Sequence, residues 1–261
     1  MAKSDADRVS EPYVPYIDSP ACFNWMVESS YSKYITTTPN VTPKPAGGHA
    51  PLSVQSNYYE HLRDYVADVC GSSGRLCDAG CGVGRVSFDM ANVGWAVVGV
   101  DSSPVFVRFC EALVVEKGTC EVRLNLGGTK TQPGQLAYPL EGSCGFMLAD
   151  ILDLRLPASD FDVVVLSNVL DRLLDPIRGL AEAWRILKPG GVLVVTTPHD
   201  WQLQYTPDRA HWASDTRELL DEALWAPPSH DGDVTHAIRI NERYVQHYIC
   251  QLLHTTKRVL T

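Results

Sequence analysis

A glycine-rich turn between two apolar segments carries the residues best suited to chemistry. The run from Leu76 to Arg85 reads LCDAGCGVGR, so an apolar segment ends in Asp78 and three glycines follow at alternate positions. Because glycine has no Cβ, such a turn lets the backbone approach a ligand closely. A second apolar segment, Trp95 to Val100, ends in Asp101. Strand, glycine turn, helix, strand and acid are the plan of a nucleoside-binding βαβ unit, whose second acid accepts hydrogen bonds from ribose hydroxyls.

Polar side chains also follow the later apolar segments. Asp150 and Ile151 come after the third segment, and Asn168 comes after the fourth. The carboxyl ends of parallel strands lie at one edge of an open α/β sheet, which is where such sheets bind ligands. We therefore expect these residues to share a site with the two acids of the glycine-turn unit, although any one acid taken alone fits a helix cap or a turn equally well.

The glycine spacing disfavours a dinucleotide as the ligand. Position 85 is arginine, where a dinucleotide-binding turn has glycine or alanine. A nicotinamide-dependent oxidoreductase therefore stays only as an alternative, and a cofactor-binding partner subunit without catalysis is another.

The elements that position these residues alternate along the chain. Strands are predicted over 75–79, 95–100, 145–149, 161–167 and 192–197, and helices over 52–70, 83–93, 103–116 and 176–187. Glycine and proline make 118–144 an irregular insertion that has room for a hairpin. This order predicts an α/β fold with a doubly wound parallel sheet. Residues 1–51, rich in proline, serine and threonine, are predicted to form an N-terminal extension that serves as lid and linker, and 52–261 form the main domain.

Composition and charge exclude several classes of partner. The net charge is −9 and no run of lysine or arginine occurs, so we expect no nucleic-acid partner. No apolar stretch is long enough for a membrane span and the N-terminus lacks the apolar core of a secretory signal, so the expected location is the cytoplasm. The eight cysteines show no CxxC spacing, which indicates reduced structural thiols and no metal site.

Five segments resemble, in order, the motifs of class I S-adenosylmethionine-dependent methyltransferases: Leu76–Arg85, Val98–Ser102, Leu148–Leu152, Phe161–Leu173 and Ile186–Pro198. The resemblance implies a Rossmann-like, seven-stranded, mostly parallel sheet and S-adenosylmethionine as the cofactor. It also implies that the glycine turn borders the methionine moiety and that Asp101 grips the ribose. In the same way, Asp150 and Ile151 flank the adenine and Asn168 lies near the reacting centre. The predicted cofactor-binding residues are Asp78, Gly80, Cys81, Gly82, Gly84, Arg85, Asp101, Ser102, Asp150, Ile151, Asn168 and Val169.

A narrower resemblance covers several later stretches. Residues 196–201, 205–209 and 211–212 read TTPHDW, YTPDR and HW, and they resemble the methyltransferase portion of ovothiol-synthesising enzymes. Residues 167–173, the HAIR run at 236–239 and Arg243 fit the same template. That portion methylates a ring nitrogen of 4-mercaptohistidine, so the resemblance implies a small amino-acid-like molecule as the methyl acceptor.

Methyl transfer from a sulfonium is an in-line displacement, in which the nucleophile lies about 3 Å from the methyl carbon, so orientation is the main task. A neutral imidazole nitrogen or a thiolate needs no strong base, but it needs the correct tautomer, with its other N–H held by an acceptor. We predict Asn168, Tyr205 and His211 as catalytic residues. The predicted substrate-binding residues are Asp171, Trp201, Tyr205, Trp212, Arg239 and Arg243, of which the two arginines would clamp a carboxylate.

Ordinary structural roles fit several of these residues equally well. The two tryptophans fit plain packing, His211 fits a solvated loop, and Asp171 fits a surface pair with a neighbouring arginine. Arg239 and Arg243 are four residues apart, which is also the spacing of one solvated helix face. A natural-product O-, N- or S-methyltransferase that acts on another small molecule is an alternative within the same class. The residues leave the oligomeric state open.

Overall fold

Five helices and ten strands make up the described part of the chain. This computed structural model describes residues 20–37, 57–127, 130–241 and 244–259. The helices are α1 (Pro20–Tyr31), α2 (Tyr58–Cys70), α3 (Arg85–Asn92), α4 (Pro104–Val115) and α5 (Pro176–Ile186). The strands are β1 (Ile35–Thr37), β2 (Gly74–Ala79), β3 (Trp95–Asp101), β4 (Thr119–Gly127), β5 (Lys130–Ala137), β6 (Cys144–Leu148), β7 (Phe161–Ser167), β8 (Leu187–Thr197), β9 (Ser229–Asn241) and β10 (Tyr244–Thr256).

A seven-stranded sheet forms the centre of the molecule, with the strand order β6-β3-β2-β7-β8-β10-β9. The pairs from β6 to β8 are parallel, and only β10 runs in the opposite direction to both of its neighbours. The order reverses between β2 and β7, which is the switch point where open α/β sheets bind ligands. The predicted doubly wound, mostly parallel sheet of the class I methyltransferase fold is confirmed.

Local sequence signals start the helices that flank this sheet. Ser103 caps α4 by accepting a hydrogen bond from the backbone N of Phe106, and Asp175 caps α5 by accepting one from the backbone N of Arg178. Each cap is followed by a proline at the start of the helix, where a missing N–H costs nothing. Strand β7 between them is almost wholly buried, as a parallel strand covered on both faces must be.

The segment 118–144 is more regular than the sequence predicts. Strands β4 and β5 form an antiparallel hairpin, and β1 pairs with β5 to give a second, three-stranded sheet. The prediction of an irregular insertion over 118–144 is therefore wrong in part, whereas the hairpin that the prediction allowed is present. Pro133 and Gly134 lie inside β5, where Gly134 is needed because a Cβ there would approach Ile35 Cγ2 to 3.0 Å.

The described part of the N-terminal extension packs on the main domain. Val27 and Tyr31 of α1 are buried in the same apolar core as Tyr58 and Leu62 of α2. Helix α1 contacts β9 and β4, and so joins the two sheets. The rest of the extension, 1–19 and 38–51, lies outside the described residues, as do 52–56 of the predicted helix at 52–70, and the lid role stays a prediction.

Two sequence-based expectations concern the thiols and the membrane. The cysteines at 70, 77, 81, 110, 120, 144 and 250 are free thiols, and burial raises the pKa of Cys70, Cys144 and Cys250 to about 12. Such thiols are poor nucleophiles at neutral pH. None of the helices in the described ranges has both the length and the apolar character to cross a membrane.

Candidate functional site

A cavity of about 670 Å³ opens at the carboxyl ends of β2, β3 and β7. The glycine turn and α3 line one side, and inward-facing residues of β9 and β10 line the other. Met26, Ser29 and Ser30 of α1 also contribute to the wall. Segments from the N-terminal, central and C-terminal parts of the chain therefore meet at one site.

The glycine turn leaves no room for side chains. Gly80, Gly82 and Gly84 have φ angles of +85°, +53° and +78°, a region that favours glycine. A Cβ on Gly80 would lie 2.6 Å from Val169 Cγ2, and one on Gly82 would lie 3.0 Å from Met26 Cε. The bare backbone is thus the wall of the cavity, as a closely held ligand requires.

Asp101 fixes this turn and still faces the cavity. Its Oδ2 accepts a hydrogen bond from the backbone N of Gly82 at 2.8 Å, and its Oδ1 accepts one from the backbone N of Ser103 at 2.8 Å. The residue is 9% exposed and lines the cavity wall. A carboxylate oxygen can accept more than one hydrogen bond, so a carboxylate on the cavity wall suits the hydroxyls of a ribose.

Asp78 supplies a buried carboxyl at the floor of the cavity. Its Oδ2 accepts a hydrogen bond from Ser87 Oγ at 2.6 Å, and its Oδ1 has no partner among the described residues. Burial raises the pKa of Asp78 to about 7, and the charge of nearby Asp101 adds to this rise. A cationic group bound beside Oδ1 would complete the site, because a buried oxygen without a partner is costly. The ammonium and sulfonium of S-adenosylmethionine fit this requirement.

The residues predicted to flank the adenine are one apolar and one acidic side chain. Ile151 is buried and Asp150 is exposed, and both line the cavity. Asp150 Oδ1 accepts a hydrogen bond from the backbone N of Leu152 at 2.9 Å, which holds the carboxylate at the rim. Phe106 and Val86 add apolar wall on this side. A planar base between apolar side chains and a rim acid is compatible with this geometry.

Asn168 connects the sheet edge to a buried histidine. Its φ is +53°, and its backbone N donates to the carbonyl of Thr196 at 2.8 Å. Thr196 Oγ1 donates to Asn168 Oδ1 at 3.0 Å, and Asn168 Nδ2 lies 3.0 Å from Nδ1 of His236. His236 stacks on Tyr58, with 4.2 Å between the ring centroids, and burial lowers its pKa to about 4.

The far end of the cavity is polar and aromatic. Arg172 Nη2 donates to Asp200 Oδ2 at 2.8 Å, and its guanidinium lies over the ring of Tyr205 at 5.2 Å. Other side chains at this end are those of Gln202, Gln204, His236, Ile238, Ile240, Tyr244, Gln246 and Tyr248. Sequence analysis did not predict these residues. For those on β9, the alternate spacing of His236, Ile238 and Ile240 is the signal that could have found them, because alternate residues of a strand share a face.

Most of the predicted cofactor-binding residues line this cavity. They are Asp78, Gly80, Cys81, Gly82, Arg85, Asp101, Ser102, Asp150, Ile151, Asn168 and Val169. Gly84 does not, because it serves as the left-handed N-cap of α3. Of the predicted catalytic and substrate-binding residues, Asn168 and Tyr205 line the cavity, whereas Asp171, Trp201, His211, Trp212 and Arg239 do not. Arg243 lies outside the described residues.

Strand alternation explains the position of Arg239. The segment is strand β9, so the helix face that Arg239 and Arg243 could have shared is absent. His236, Ile238 and Ile240 point into the cavity, and the residues between them point the other way. Arg239 Nη1 lies 3.3 Å from Glu28 Oε1 of α1, so this arginine fastens α1 rather than a substrate.

The loop after β8 uses its large side chains for internal packing. Trp201 Nε1 donates to the carbonyl of Ala213 at 2.7 Å, and Trp212 Nε1 donates to that of Thr206 at 2.8 Å. His211 Nδ1 lies 3.9 Å from Asp175 Oδ1, away from the cavity. These residues shape the loop that carries Tyr205.

Asp171 is a buried support for the same loop. Its Oδ2 accepts a hydrogen bond from the backbone N of Asp200 at 2.8 Å and lies 3.4 Å from Arg172 Nη1. The pairing with a neighbouring arginine is present, but Asp171 is fully buried and not on the surface. Burial raises the pKa of Asp171.

Arg85 lines the cavity but directs its guanidinium into the packing of α1 and α2. Its Nε donates to Asp89 Oδ2 at 2.9 Å, its Nη2 donates to Glu60 Oε1 at 2.9 Å, and its Nη1 donates to the carbonyl of Ser30 at 2.5 Å. The rings of Tyr31, Tyr34, Tyr59 and Tyr138 surround it. A role in binding the cofactor is therefore indirect.

Similar sequences point to one class of enzyme. Two models described as methyltransferase domains match the chain, over residues 77–195 and 140–251. A ubiquinone biosynthesis O-methyltransferase from Caulobacter vibrioides is 31% identical over 122 residues, which are 47% of this chain and 40% of that enzyme. A probable S-adenosylmethionine-dependent methyltransferase from Mycolicibacterium smegmatis is 28% identical over 175 residues, 66% of this chain and 56% of that protein. The matches thus span about half the length of these curated relatives.

A solved structure gives the same fold. Magnesium protoporphyrin IX methyltransferase from Synechocystis PCC 6803, with bound SAM, superposes with a TM-score of 0.50 and 19% identity, over 77% of this chain and 78% of that chain. The architecture is thus the Rossmann-like fold of class I methyltransferases. Methyltransferase-domain models thus match two overlapping stretches of the chain, and the named relatives support S-adenosylmethionine as the methyl donor.

Proposed function

We propose that this chain transfers the methyl group of S-adenosylmethionine to a nitrogen of a small amino-acid-like acceptor. A histidine-derived imidazole such as 4-mercaptohistidine is the favoured acceptor. The observation that carries the proposal is the neutral, hydrogen-bonded pair of Asn168 and His236 at the end of the cavity beyond the glycine turn. An acceptor that already has a lone pair needs orientation rather than a base, and this pair supplies orientation.

The donor end would be held by groups of the glycine-turn unit. When bound, S-adenosylmethionine supplies a methyl group on a positively charged sulfur. Asp101 would accept hydrogen bonds from the ribose hydroxyls, and the unpartnered Oδ1 of Asp78 would face a cationic group. The backbone of Gly80 and Gly82 would hold the donor close to the sheet edge, because no Cβ stands in the way.

The acceptor end lacks a strong base among its buried groups. Burial lowers the pKa of His236 to about 4 and raises the pKa of Tyr248, so neither group readily takes a proton at neutral pH. The carboxylate of Asp200 accepts hydrogen bonds from Arg172 and Gln202, each at 2.8 Å. A neutral ring nitrogen attacks without losing a proton first, which suits this set of groups.

The amino-acid part of the acceptor would need polar partners other than the predicted arginine clamp. Arg239 is directed to Glu28, so the amides of Gln202, Gln204 and Gln246 take its place as candidates. An amide both donates and accepts, so it suits a carboxylate or an ammonium group. The aromatic ring of Tyr205 offers a face for stacking on a planar acceptor.

A second candidate function is O-methylation of a small hydroxylated molecule. The relative from Caulobacter vibrioides, an O-methyltransferase by name, favours it, since it is 31% identical over 122 residues of the chain. This reaction would remove a proton from a hydroxyl, which requires a base at the acceptor end. Asp200 is the carboxylate best placed for that role.

Turnover with a panel of acceptors tests both candidates. The purified protein is incubated with S-adenosylmethionine and 4-mercaptohistidine, histidine or a catechol, and S-adenosylhomocysteine and methylated products are measured by mass spectrometry. We expect an N-methylated imidazole from 4-mercaptohistidine. A methylated catechol with no imidazole product would replace the proposal by its O-methylating alternative, and donor binding without any turnover would favour a non-catalytic subunit.

A further inference from the structure

We propose that His236 binds the methyl acceptor directly, by donating a hydrogen bond from Nε2–H to an oxygen or sulfur atom of that molecule. The inference rests on the proposed function and adds the residue that selects the acceptor. It also states which acceptors His236 would select, namely molecules with a hydrogen-bond-accepting atom close to the nucleophilic nitrogen.

The hydrogen-bond chain leading to His236 indicates which ring nitrogen carries the proton. Thr196 Oγ1 donates to Asn168 Oδ1 at 3.0 Å, so the amide oxygen faces Thr196 and the amide nitrogen faces the imidazole. An amide nitrogen only donates, so Nδ1 of His236 is the acceptor of that bond and carries no proton. A neutral imidazole has one N–H, which is therefore on Nε2.

The surroundings of His236 keep the ring neutral. The residue is 7% exposed, with the ring of Tyr58 stacked at 4.2 Å and that of Tyr59 edge-on at 5.5 Å. Tyr248 is its register partner on β10. The rings that contact His236 are thus the phenols of Tyr58 and Tyr59, and burial is the cause that lowers the pKa of His236 to about 4. The ring stays a donor at Nε2 and does not become a base.

The Nε2–H group lacks a partner where the acceptor would bind. Within the described part of the chain, Nε2 is buried and makes no hydrogen bond, although the side chain lines the cavity. Buried donors are nearly always satisfied, so a ligand atom is the expected partner. A methyl acceptor that directs an N–H group toward His236 would place two hydrogen-bond donors together. A thiolate or carboxylate of the methyl acceptor would instead accept the hydrogen bond from Nε2–H.

On strand β9, apolar side chains lie beside this hydrogen-bond donor, which favours methyl acceptors that combine an apolar ring with one hydrogen-bond-accepting atom. Ile238 and Ile240 continue the same face of β9 along the cavity wall. A ring that packs against these side chains leaves His236 as the polar contact of this wall. For 4-mercaptohistidine the lone-pair atom is the ring sulfur or the carboxylate oxygen, and the two sources can be separated by removing one group at a time.

Two amide variants test the contact. In His236→Gln the amide reaches the position of Nε2 and keeps a donor, whereas in His236→Asn it ends near Nδ1, so the donor to the cavity is lost. We expect His236→Asn to raise the KM for 4-mercaptohistidine about tenfold, the size of one hydrogen bond, with the Kd for S-adenosylmethionine unchanged. His236→Gln should retain most of the affinity. His247→Phe, at an exposed position of β10, is the control. Equal KM values in the asparagine variant and the wild type would overturn the proposal.

The same variants identify which atom of the methyl acceptor contacts His236, the sulfur or a carboxylate oxygen. The effect of His236→Asn should vanish with histidine if the sulfur is the partner, and with the decarboxylated mercapto compound if the carboxylate is the partner. Persistence of the full effect with both compounds would mean that neither atom contacts His236, and would also overturn the proposal.

A measurement without any acceptor separates this inference from the proposed function. In ¹⁵N-histidine spectra of the complex with S-adenosylhomocysteine, assigned by His236→Asn, we expect the proton on Nε2 and no titration near the ordinary pKa of about 6.5. A proton on Nδ1, or titration near 6.5, would reject the donor role even if 4-mercaptohistidine is methylated. Failure of every acceptor in the panel would reject the proposed function, and the spectra would still decide the state of His236.

Discussion

Burial raises the pKa of the Asp78 carboxyl, and the sequence alone does not predict this change. Its Oδ1 has no partner among the described residues, and burial is the main cause that raises its pKa from 3.8 to about 7. Between pH 3.8 and about pH 7, Asp78 is protonated in the folded protein and ionised in the unfolded chain. This carboxyl therefore makes the cofactor-free protein less stable as the pH rises through that range.

S-adenosylmethionine should bind more tightly as the pH rises through about 7. The cationic donor favours the ionised form of Asp78, so for one linked proton the affinity should be about tenfold weaker at pH 6 than at pH 8. Calorimetry at the two pH values measures this, with Asp78→Asn as the variant that should lose the dependence. If the variant shows the same pH dependence as the wild type, another group is responsible.

Close approach of the backbone can be tested at Gly80. Gly80→Ala places a methyl group 2.6 Å from Val169 Cγ2, whereas Gly190→Ala, at a similar φ of +78°, meets nothing within 4 Å. Both variants carry the backbone strain of about 1 kcal/mol, but only the first closes the turn. We expect Gly80→Ala to lose binding of S-adenosylhomocysteine and Gly190→Ala to keep it. Chemical denaturation gives the stability of each, and equal binding in both would remove the turn from the site.

Local patterns predicted the cavity residues around the glycine turn, and long-range packing hid those at the other end of the cavity. Asp78, Gly80 and Asp101 could be predicted because strand, turn and helix follow one another in the chain. His236 could not, since it meets Asn168 across 68 residues of sequence. We predicted Arg239 as a substrate-binding residue without expecting a strand there. In strand β9 its side chain lies on the face opposite to the cavity.

At the scale of elements, Arg85 joins three helices beside the glycine turn. From the first residue of α3 it reaches Asp89 in its own helix, Glu60 in α2 and the carbonyl of Ser30 in α1. The guanidinium is almost fully buried, so its charge depends on these partners. Helix α1 in turn supplies Met26 and other wall residues to the cavity. The position of α1 is thus coupled to the start of α3.

Removal of this guanidinium should destabilise the protein and loosen α1. Arg85→Met leaves the buried carboxylate of Asp89 with the hydroxyl of Tyr138 but without a cationic partner, and removal of one member of a buried ion pair costs about 3–5 kcal/mol in comparable sites. Arg75→Met removes an exposed pair with Asp160, which contributes about 0–1 kcal/mol, and is the control. Denaturant unfolding gives the two free energies, and limited proteolysis reports on α1. Equal loss in the two variants would contradict the coupling.

The elements that the sequence did not indicate are those whose patterns depend on tertiary contacts. Strand β10 lines the cavity with Tyr244, Gln246 and Tyr248 and leaves Ile249 exposed on its other face, so it lacks the apolar alternation of a half-buried strand. Strand β5 contains Pro133 and Gly134, which are typical of loops, yet it pairs on both sides. The central parallel strands were predicted because they are apolar on both faces.

At the scale of the whole molecule, the reversal of strand order between β2 and β7 produces the cavity. The proposed donor end is formed by β2, β3 and the glycine turn, and the proposed acceptor end is formed by β7, β9, β10 and the loop after β8. Asn168 lies at the junction of the two ends. The methyl group would pass from one end to the other at this residue, so the account depends on the donor lying in the glycine-turn half.

Calorimetric titration of the purified protein with S-adenosylhomocysteine tests that central claim most directly. Asp101→Ala removes the acceptor of the ribose hydroxyls, and Asp153→Ala, an exposed residue off the cavity wall, is its control. Thermal unfolding without ligand reports whether the loss of the Gly82 and Ser103 contacts harms the fold. We predict one site per chain, binding at least about tenfold weaker in the Asp101 variant and unchanged in the control. No binding heat in the wild type, or equal affinity in all three proteins, would contradict the account.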